Sequence, residues 1–217
     1  MSRVVAGAAG GTPLVSVPGS LTRPTTDRVK EALFSRLDAF DIVAGARVLD
    51  LYAGSGSLGV ESASRGADSV DLVEFDAKAS AVCQRNADMV NAVLGRKVVS
   101  VHRSKVESFL DRTVEGVLWD LAFLDPPYPL DEPALVAALA KLAPHLAVGS
   151  VVVVERSART PEPAWPEGMV RFAEKKYGET RLWFAEPGPE TEQEIAEALA
   201  EDELAGTEPS QSAQAGR

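Results

Sequence analysis

Sulfur and imidazole are nearly missing from this chain of 217 residues, which has one cysteine, Cys83, and two histidines, His102 and His145. A single thiol forms no intrachain disulfide and leaves a cysteine-based zinc site without partners. The histidines lie far apart in sequence without metal-ligand spacing, so ordinary surface or strand-end roles are expected for them, and no metal. No run of about 18 apolar residues occurs, the length a membrane span needs. The opening Met1-Ser2-Arg3-Val4-Val5 also lacks the apolar core of a secretory signal. A soluble, cytoplasmic protein with no membrane partner is expected. Excess positive charge is absent too, since the formal net charge is −10, and this argues against a phosphate-rich partner. The distribution of charge weakens that argument. Between Pro187 and Arg217 eight acids stand against Arg217 alone, a charge of −7, which leaves −3 for the rest. Rich in Pro, Gly, Ala, Ser, Gln and Glu, residues 187–217 read as a disordered acidic tail outside the fold. With 45% hydrophobic residues, the body suits one α/β domain with a substantial core. A second full domain is not expected, and a monomer is the default.

From Arg47 onward strand and helix signals alternate, the pattern of a parallel sheet with helices on its faces. Val48-Leu49-Asp50-Leu51 reads as a buried strand, Gly54-Ser55-Gly56-Ser57 as a tight turn, and Leu58 to Arg65 as a helix closed by Gly66. Val70 to Glu74 is a second strand. Ala77 to Asn91 has helical spacing that puts Cys83 in or near the core. Val98 to Val101 is a third strand, Val106 to Leu110 a short helix, and Leu121 to Leu124 a fourth strand stopped by Asp125-Pro126-Pro127-Tyr128. A helix over Glu132 to Leu142 leads to Val151-Val152-Val153-Val154, too uniformly apolar for anything but a central strand. Val170 to Ala173 and Arg181 to Phe184 alternate with period two around Tyr177-Gly178-Glu179, a closing antiparallel hairpin. In front of the sheet, residues 1–40 form an extension: a small hairpin of Arg3 to Gly7 with Leu14 to Pro18, then a helix through Leu37. The main domain spans 41–186.

Ligands of an open parallel sheet bind beyond the carboxyl ends of its strands, so the loops after Asp50, Glu74, Val101 and Leu124 should converge. Asp50-Leu51-Tyr52-Ala53-Gly54-Ser55-Gly56 has glycines that let the backbone approach a ligand, yet Ser57-Leu58-Gly59 follows instead of dinucleotide-type spacing. Glu74 ends the next strand about twenty residues on, where a carboxylate accepts from ribose hydroxyls. That combination fits either NAD or S-adenosylmethionine. Asp125-Pro126-Pro127-Tyr128 has no evident use in hydride transfer, whereas amino-group methylation uses such a motif.

With the glycine segment and Arg23-Pro24-Thr25-Thr26-Asp27-Arg28-Val29-Lys30-Glu31-Ala32-Leu33-Phe34, this motif resembles the bacterial RsmD family of 16S rRNA (guanine-N2)-methyltransferases, from Arg3 to about Glu186. The resemblance implies an α/β, Rossmann-like class I S-adenosylmethionine-dependent methyltransferase fold, with a mostly parallel seven-stranded sheet and an antiparallel C-terminal edge hairpin. Its cofactor would be S-adenosylmethionine, held by Asp50, Tyr52, Ala53, Gly54, Ser55, Gly56 and Glu74, with Phe75, Ser104 and Lys105 near adenine. Its substrate would be 16S rRNA within the 30S subunit or an assembly intermediate, methylated by direct transfer to a flipped base. In that chemistry the Asp125 carboxylate and Pro126 carbonyl accept the two amine hydrogens, Pro127 stiffens the loop, and Tyr128 stacks on the base. Cytosine C5 chemistry needs a cysteine nucleophile, and Cys83 stands on the wrong helix for one.

Arg3, Arg23, Arg28, Lys30 and Arg36 give the N-terminal segment a mild basic excess for phosphates, with Arg23 and Arg28 the first choices. Thr25 and Thr26 cap the next helix or face the substrate. Lys175, Lys176 and Arg181 around the final hairpin supply a second basic cluster, and the resemblance adds Tyr177-Gly178 to that ending. Ala8-Ala9-Gly10-Gly11-Thr12 departs from the family, whose first hairpin carries basic residues. Rival readings are a DNA adenine-N6 methyltransferase, which normally needs a separate recognition region, a protein-glutamine methyltransferase, whose family has asparagine where Asp125 stands, and a non-catalytic RNA-binding module.

Overall fold

A computed structural model gives the structure of the protein and describes residues 2–18, 27–127 and 130–189. Helix α1 (Asp27–Ala39) precedes the alternating series β1 (Arg47–Leu51), α2 (Ser57–Ser64), β2 (Ser69–Glu74), α3 (Ala77–Leu94), β3 (Val99–Arg103), α4 (Val106–Leu110), β4 (Trp119–Leu124), α5 (Glu132–Leu142) and β5 (Leu146–Ser157). The hairpin β6 (Met169–Tyr177) and β7 (Thr180–Pro187) completes it. The acidic segment read as a tail, from Glu190 onward, lies outside the described residues.

Seven strands form one sheet in the order β3-β2-β1-β4-β5-β7-β6. Strands β1 to β5 are mutually parallel, while β7 pairs antiparallel with both β5 and β6. The hairpin is therefore present, with its reversed strand second from the edge and β6 outermost. Chain order reverses between β1 and β4, where an open sheet forms its ligand crevice.

Both faces of the sheet are covered, so neighbouring strand residues feed two cores. Val48, Phe123, Val153 and Leu182 join one with Phe34 of α1 and Cys83 of α3. Their neighbours Leu49, Leu124, Val154 and Trp183 join the other with Leu135 and Leu139 of α5. His102 stands on β3 with Nε2 2.7 Å from Asp71 Oδ1, and His145 donates from Nδ1 to the Val117 carbonyl. Among the described residues no helix is long and apolar enough to cross a membrane.

The N-terminal segment departs from its expected form. The hairpin of Arg3 to Gly7 with Leu14 to Pro18 shrinks to one antiparallel bridge between Arg3 and Pro13, because much of its hydrogen bonding goes to helices instead. Val5 and Ala6 donate their amides to the Glu61 carboxylate on α2, at 2.7 and 3.0 Å. Ala8 donates to the Ser64 carbonyl and Ala9 to the Ser64 hydroxyl. Asn86 of α3 pairs with both backbone groups of Val15.

Lys30 and Arg36, counted above with the phosphate-facing bases, are committed elsewhere. Lys30 is 1% exposed, donates to the Arg3 carbonyl at 2.7 Å and lies 3.6 Å from Glu61, itself fully buried. Arg36 lies over the Phe40 and Phe184 rings. Arg65 closes the buried cluster by donating from Nε to Glu61 at 2.9 Å. Removing one member of such a network strands its partners without solvent. Glu61→Gln keeps the volume but turns a donor toward the Val5 amide and the Lys30 ammonium. The expected loss is about 3–5 kcal/mol, read by calorimetry as a melting temperature lower by roughly 10 °C or more. An unchanged melting temperature would show that this cluster does not fasten the N-terminal segment.

Candidate active site

A cleft of about 530 Å³ opens at the carboxyl ends of β1, β2, β3 and β4, within the usual range for small-molecule sites. The four expected loops converge on it. Asp50, Tyr52, Ala53, Gly54 and Ser55 come from β1 and its loop, Glu74 and Phe75 from β2, Ser104 and Lys105 from β3, and Asp125 and Pro127 from β4. Ser2, Ser16 and Val17 of the N-terminal segment add a wall that sequence reasoning missed.

The β1 loop is fixed from below. Glu74 accepts the Gly54 amide on Oε2 at 2.8 Å and the Asp76 amide on Oε1 at 2.7 Å, tying the ends of β1 and β2 together. Each oxygen keeps acceptor capacity for a ligand hydroxyl. Tyr52 holds a left-handed backbone, φ 64°, unusual for a non-glycine residue, and its buried hydroxyl has no partner among the described residues. Burial, and secondarily the charge of Glu107, pushes its phenol up to about 12.

Gly56 is not among the lining residues. With φ 76° it starts α2, and a Cβ there would stand 2.9 Å from both Cys83 Sγ and Leu72 Cδ1, so its glycine serves backbone conformation and packing. Gly56 has no side chain to cap α2, and among the described residues the amides of Ser57 and Leu58 are left for solvent or a ligand. Gly59 lets α2 press against β2, where a Cβ would come within 2.2 Å of Leu72 Cδ2. That approach brings the Gly59 amide to Asp50 Oδ2 at 3.0 Å.

Asp50 is buried, and its carboxyl rises to about 7, chiefly through burial and in small part through Glu74, against the Gly59 hydrogen bond. Asp125 also lies well above the ordinary carboxylate range, through burial first and then the charges of Glu155 and Asp50. Cys83 is fully buried beneath the loop, its thiol pushed up by burial and then by the charges of Asp50 and Glu74, which makes it inert as a nucleophile.

Asn86, wholly buried on α3, is a second omission of sequence reasoning. Besides clasping Val15, its Nδ2 donates to the Ser55 carbonyl at 2.8 Å, joining the N-terminal wall to the glycine loop. A polar residue inside the apolar stripe of Cys83, Ala87 and Val90 was the available signal.

The remaining site candidates fall in three places. Pro126 is buried behind Asp125. Arg28 is exposed on the first turn of α1, and Lys175 and Lys176 are exposed on β6 beside half-buried Tyr177. Tyr177 pairs with Thr180, and Thr180 with Ser157 at the end of β5, so that cluster shares the cleft's end of the sheet but sits across β5 and β7 from β4. Arg23, Thr25, Thr26 and Tyr128 lie outside the described residues.

Chemically, the cleft suits a nucleoside joined to an amino acid. Phe75, 61% exposed with the Lys105 ammonium 5.5 Å from its ring centre, can flank a flat heterocycle. Glu74 can take hydroxyls, the start of α2 a carboxylate, and Asp50 an ammonium group.

A family model described as Conserved hypothetical protein 95 matches residues 2–186. The Bacillus subtilis (strain 168) protein named "Putative rRNA methyltransferase YlbH" is 32% identical over 179 residues, 82% of this chain and 95% of its own. Ribosomal RNA small subunit methyltransferase D of Escherichia coli (strain K12) is 38% identical over 116 residues, 54% of each chain. A solved structure described as "Putative methyltransferase yhhF from Escherichia coli" is similar with a TM-score of 0.71 and 30% identity, over 85% of this chain and 97% of that one.

Proposed function

This chain belongs to the RsmD family, the family described as Conserved hypothetical protein 95, and on that premise we propose that it methylates the exocyclic N2 amine of a guanine in 16S rRNA. It is a methyltransferase of the Rossmann-like class I fold, and S-adenosylmethionine is its cofactor. The observation that carries the reading is one of position. Asp125 and Pro127, at the end of β4, line the same cleft as Asp50, Gly54 and Glu74. This supports a reading in which the Asp125 carboxylate, as an amine acceptor, shares one cavity with the cofactor groups.

The residues present fit the cofactor. Glu74 would hold its ribose hydroxyls, Phe75 and Lys105 its adenine, the start of α2 its carboxylate and Asp50 its ammonium. When bound, it supplies an electrophilic methyl group on a sulfonium centre. The base amine is the weak partner, because its lone pair is delocalised into the ring. Asp125 and the Pro126 carbonyl accept its two hydrogens, which draws the nitrogen toward tetrahedral geometry and frees the lone pair. The two prolines keep these acceptors rigid when the flipped base enters. Asp125 then takes the proton that the methylated nitrogen sheds. Arg28, Lys175 and Lys176 contact phosphates around the base, and Tyr128 stacks on it.

Transfer of labelled methyl to naked 16S rRNA, 30S particles, duplex DNA and protein, followed by nucleoside digestion, tests the assignment. The expected product is N2-methylguanosine from a ribosomal substrate. Labelled N6-methyladenine from DNA would keep the amine chemistry and sink the substrate, and no transfer to any of the four would favour a binding role.

A further inference from the structure

The acids of the cleft continue beyond its wall. Strands β4 and β5 are parallel with Leu124 opposite Val154, so the next residues, Asp125 and Glu155, stand side by side at the strand ends, about 5 Å apart in backbone. They share a face, because alternation puts each on the side of the preceding pair, Phe123 and Val153, whose side chains enter the core packed by α1 and α3. Asp50 follows Val48 on that same face one strand over, opposite Phe123 and so two residues deeper than Asp125. Asp125 and Glu155 thus stand level on neighbouring strands, with Asp50 one step deeper on the same face. Arg156 alternates to the opposite face and pairs with Glu132 at 3.6 Å. After burial, the charge of Glu155 is the next cause of the raised Asp125 carboxyl, which agrees with this adjacency.

Two carboxylates side by side present acceptors only, which suits a ligand edge with adjacent donors. The amines of guanine, adenine and cytosine offer the same two hydrogens to Asp125 and the Pro126 carbonyl. They differ at the neighbouring ring nitrogen. Guanine has a hydrogen on N1, while adenine N1 and cytosine N3 are acceptors that would face a carboxylate unpaired.

We infer that Glu155 is the specificity-determining residue for the base: its carboxylate accepts the N1 hydrogen of guanine while Asp125 and Pro126 hold the adjacent amine, so the acid pair rejects adenine and cytosine. This rests on the reading of the site as an amino-methyltransferase acting on RNA. Sites built to hydrogen-bond a substrate group discriminate strongly against an analogue lacking it, by about 10⁴-fold at the upper end.

The test uses 16S rRNA in 30S particles carrying, at the nucleotide the wild-type enzyme methylates, either guanosine or 2-aminopurine riboside, which keeps the amine and lacks the N1 hydrogen. Wild-type protein is expected to prefer guanosine strongly. Glu155→Gln, whose amide can donate to an unprotonated N1, should lose about 10²-fold in kcat/KM on guanosine and gain or hold on 2-aminopurine, so that the preference collapses. Cofactor affinity should stay within about twofold, since Glu155 lies outside the cofactor cleft. Glu155→Asp, which keeps the charge and draws it back, should weaken transfer yet preserve the preference for guanosine. Equal losses on both substrates for Glu155→Gln would overturn the inference and leave the methyltransferase reading intact. Wild-type protein that yields no N2-methylguanosine would instead overturn that reading, and the inference with it.

Discussion

Asp125→Ala is expected to lower methyl transfer by about 10³-fold or more, while the protein stays folded and binds cofactor as before. The carboxylate is asked to hold an amine hydrogen, to help free the lone pair and to receive a proton, and alanine does none of these. Asp125→Asn keeps one acceptor oxygen and cannot take the proton, so it should fall between the two. Stability should move the other way. The Asp125 carboxyl is raised in the folded protein by burial, Glu155 and Asp50. Above the unfolded value near 3.8, the folded chain therefore retains a proton that the unfolded chain has lost, and stability falls as pH rises toward the folded value. Asp125→Asn, which opens no cavity, removes that dependence. Its melting temperature relative to wild type should climb with pH. Single-turnover transfer, cofactor binding by equilibrium dialysis and calorimetry at several pH values measure the three effects. Transfer within tenfold of wild type for the alanine variant would remove Asp125 from the chemistry.

Much of this site was legible because strand ends are local features. Val48-Leu49-Asp50-Leu51, Val70 to Glu74 and Leu121 to Leu124 are short apolar runs closed by a turn signal or an acid, and the parallel-sheet rule brings their ends together. Neither the place of β7 between β5 and β6 nor the pairing of Asp125 with Glu155 could be read that way, since both depend on long-range register. The N-terminal hairpin failed for a related reason. Period-two patterning says that a segment is extended, and says nothing about whether its amides meet another strand or Glu61, Ser64 and Asn86. Lys30 was counted as surface charge because lysine is almost never buried without a partner, and its partner lies thirty-one residues away on α2. Gly56 fits a ligand-approach glycine by spacing, yet the side chains of Cys83 and Leu72 are what close its Cβ position.

Cofactor affinity is expected to strengthen about tenfold per pH unit up to about pH 7 and to level off above it. Asp50 titrates near 7 in the free protein, so below that pH it carries a proton and presents no charge to an ammonium group. Binding there must release one proton, which gives the slope of one. Above that pH the carboxylate is already formed and the dependence ends. Asp50→Asn keeps an acceptor for the Gly59 amide but has no charge at any pH. It should bind with the weak affinity of the protonated wild type, about 10²-fold below wild type two units above the onset of the slope, and with no slope. Stability runs opposite to affinity. Between the unfolded value of 3.8 and the folded value near 7, the empty protein holds a proton that the unfolded chain has shed. Raising pH through that window destabilises it by at most about 4 kcal/mol, and asparagine abolishes the effect. Titration calorimetry in buffers of differing ionisation enthalpy counts the released proton directly. A release that persists in Asp50→Asn would assign it to Asp125, the only other acid of the described cleft with a raised carboxyl. A release absent from wild type would mean that the ammonium group binds elsewhere, and Asp50 would then serve only to draw α2 against the sheet through Gly59.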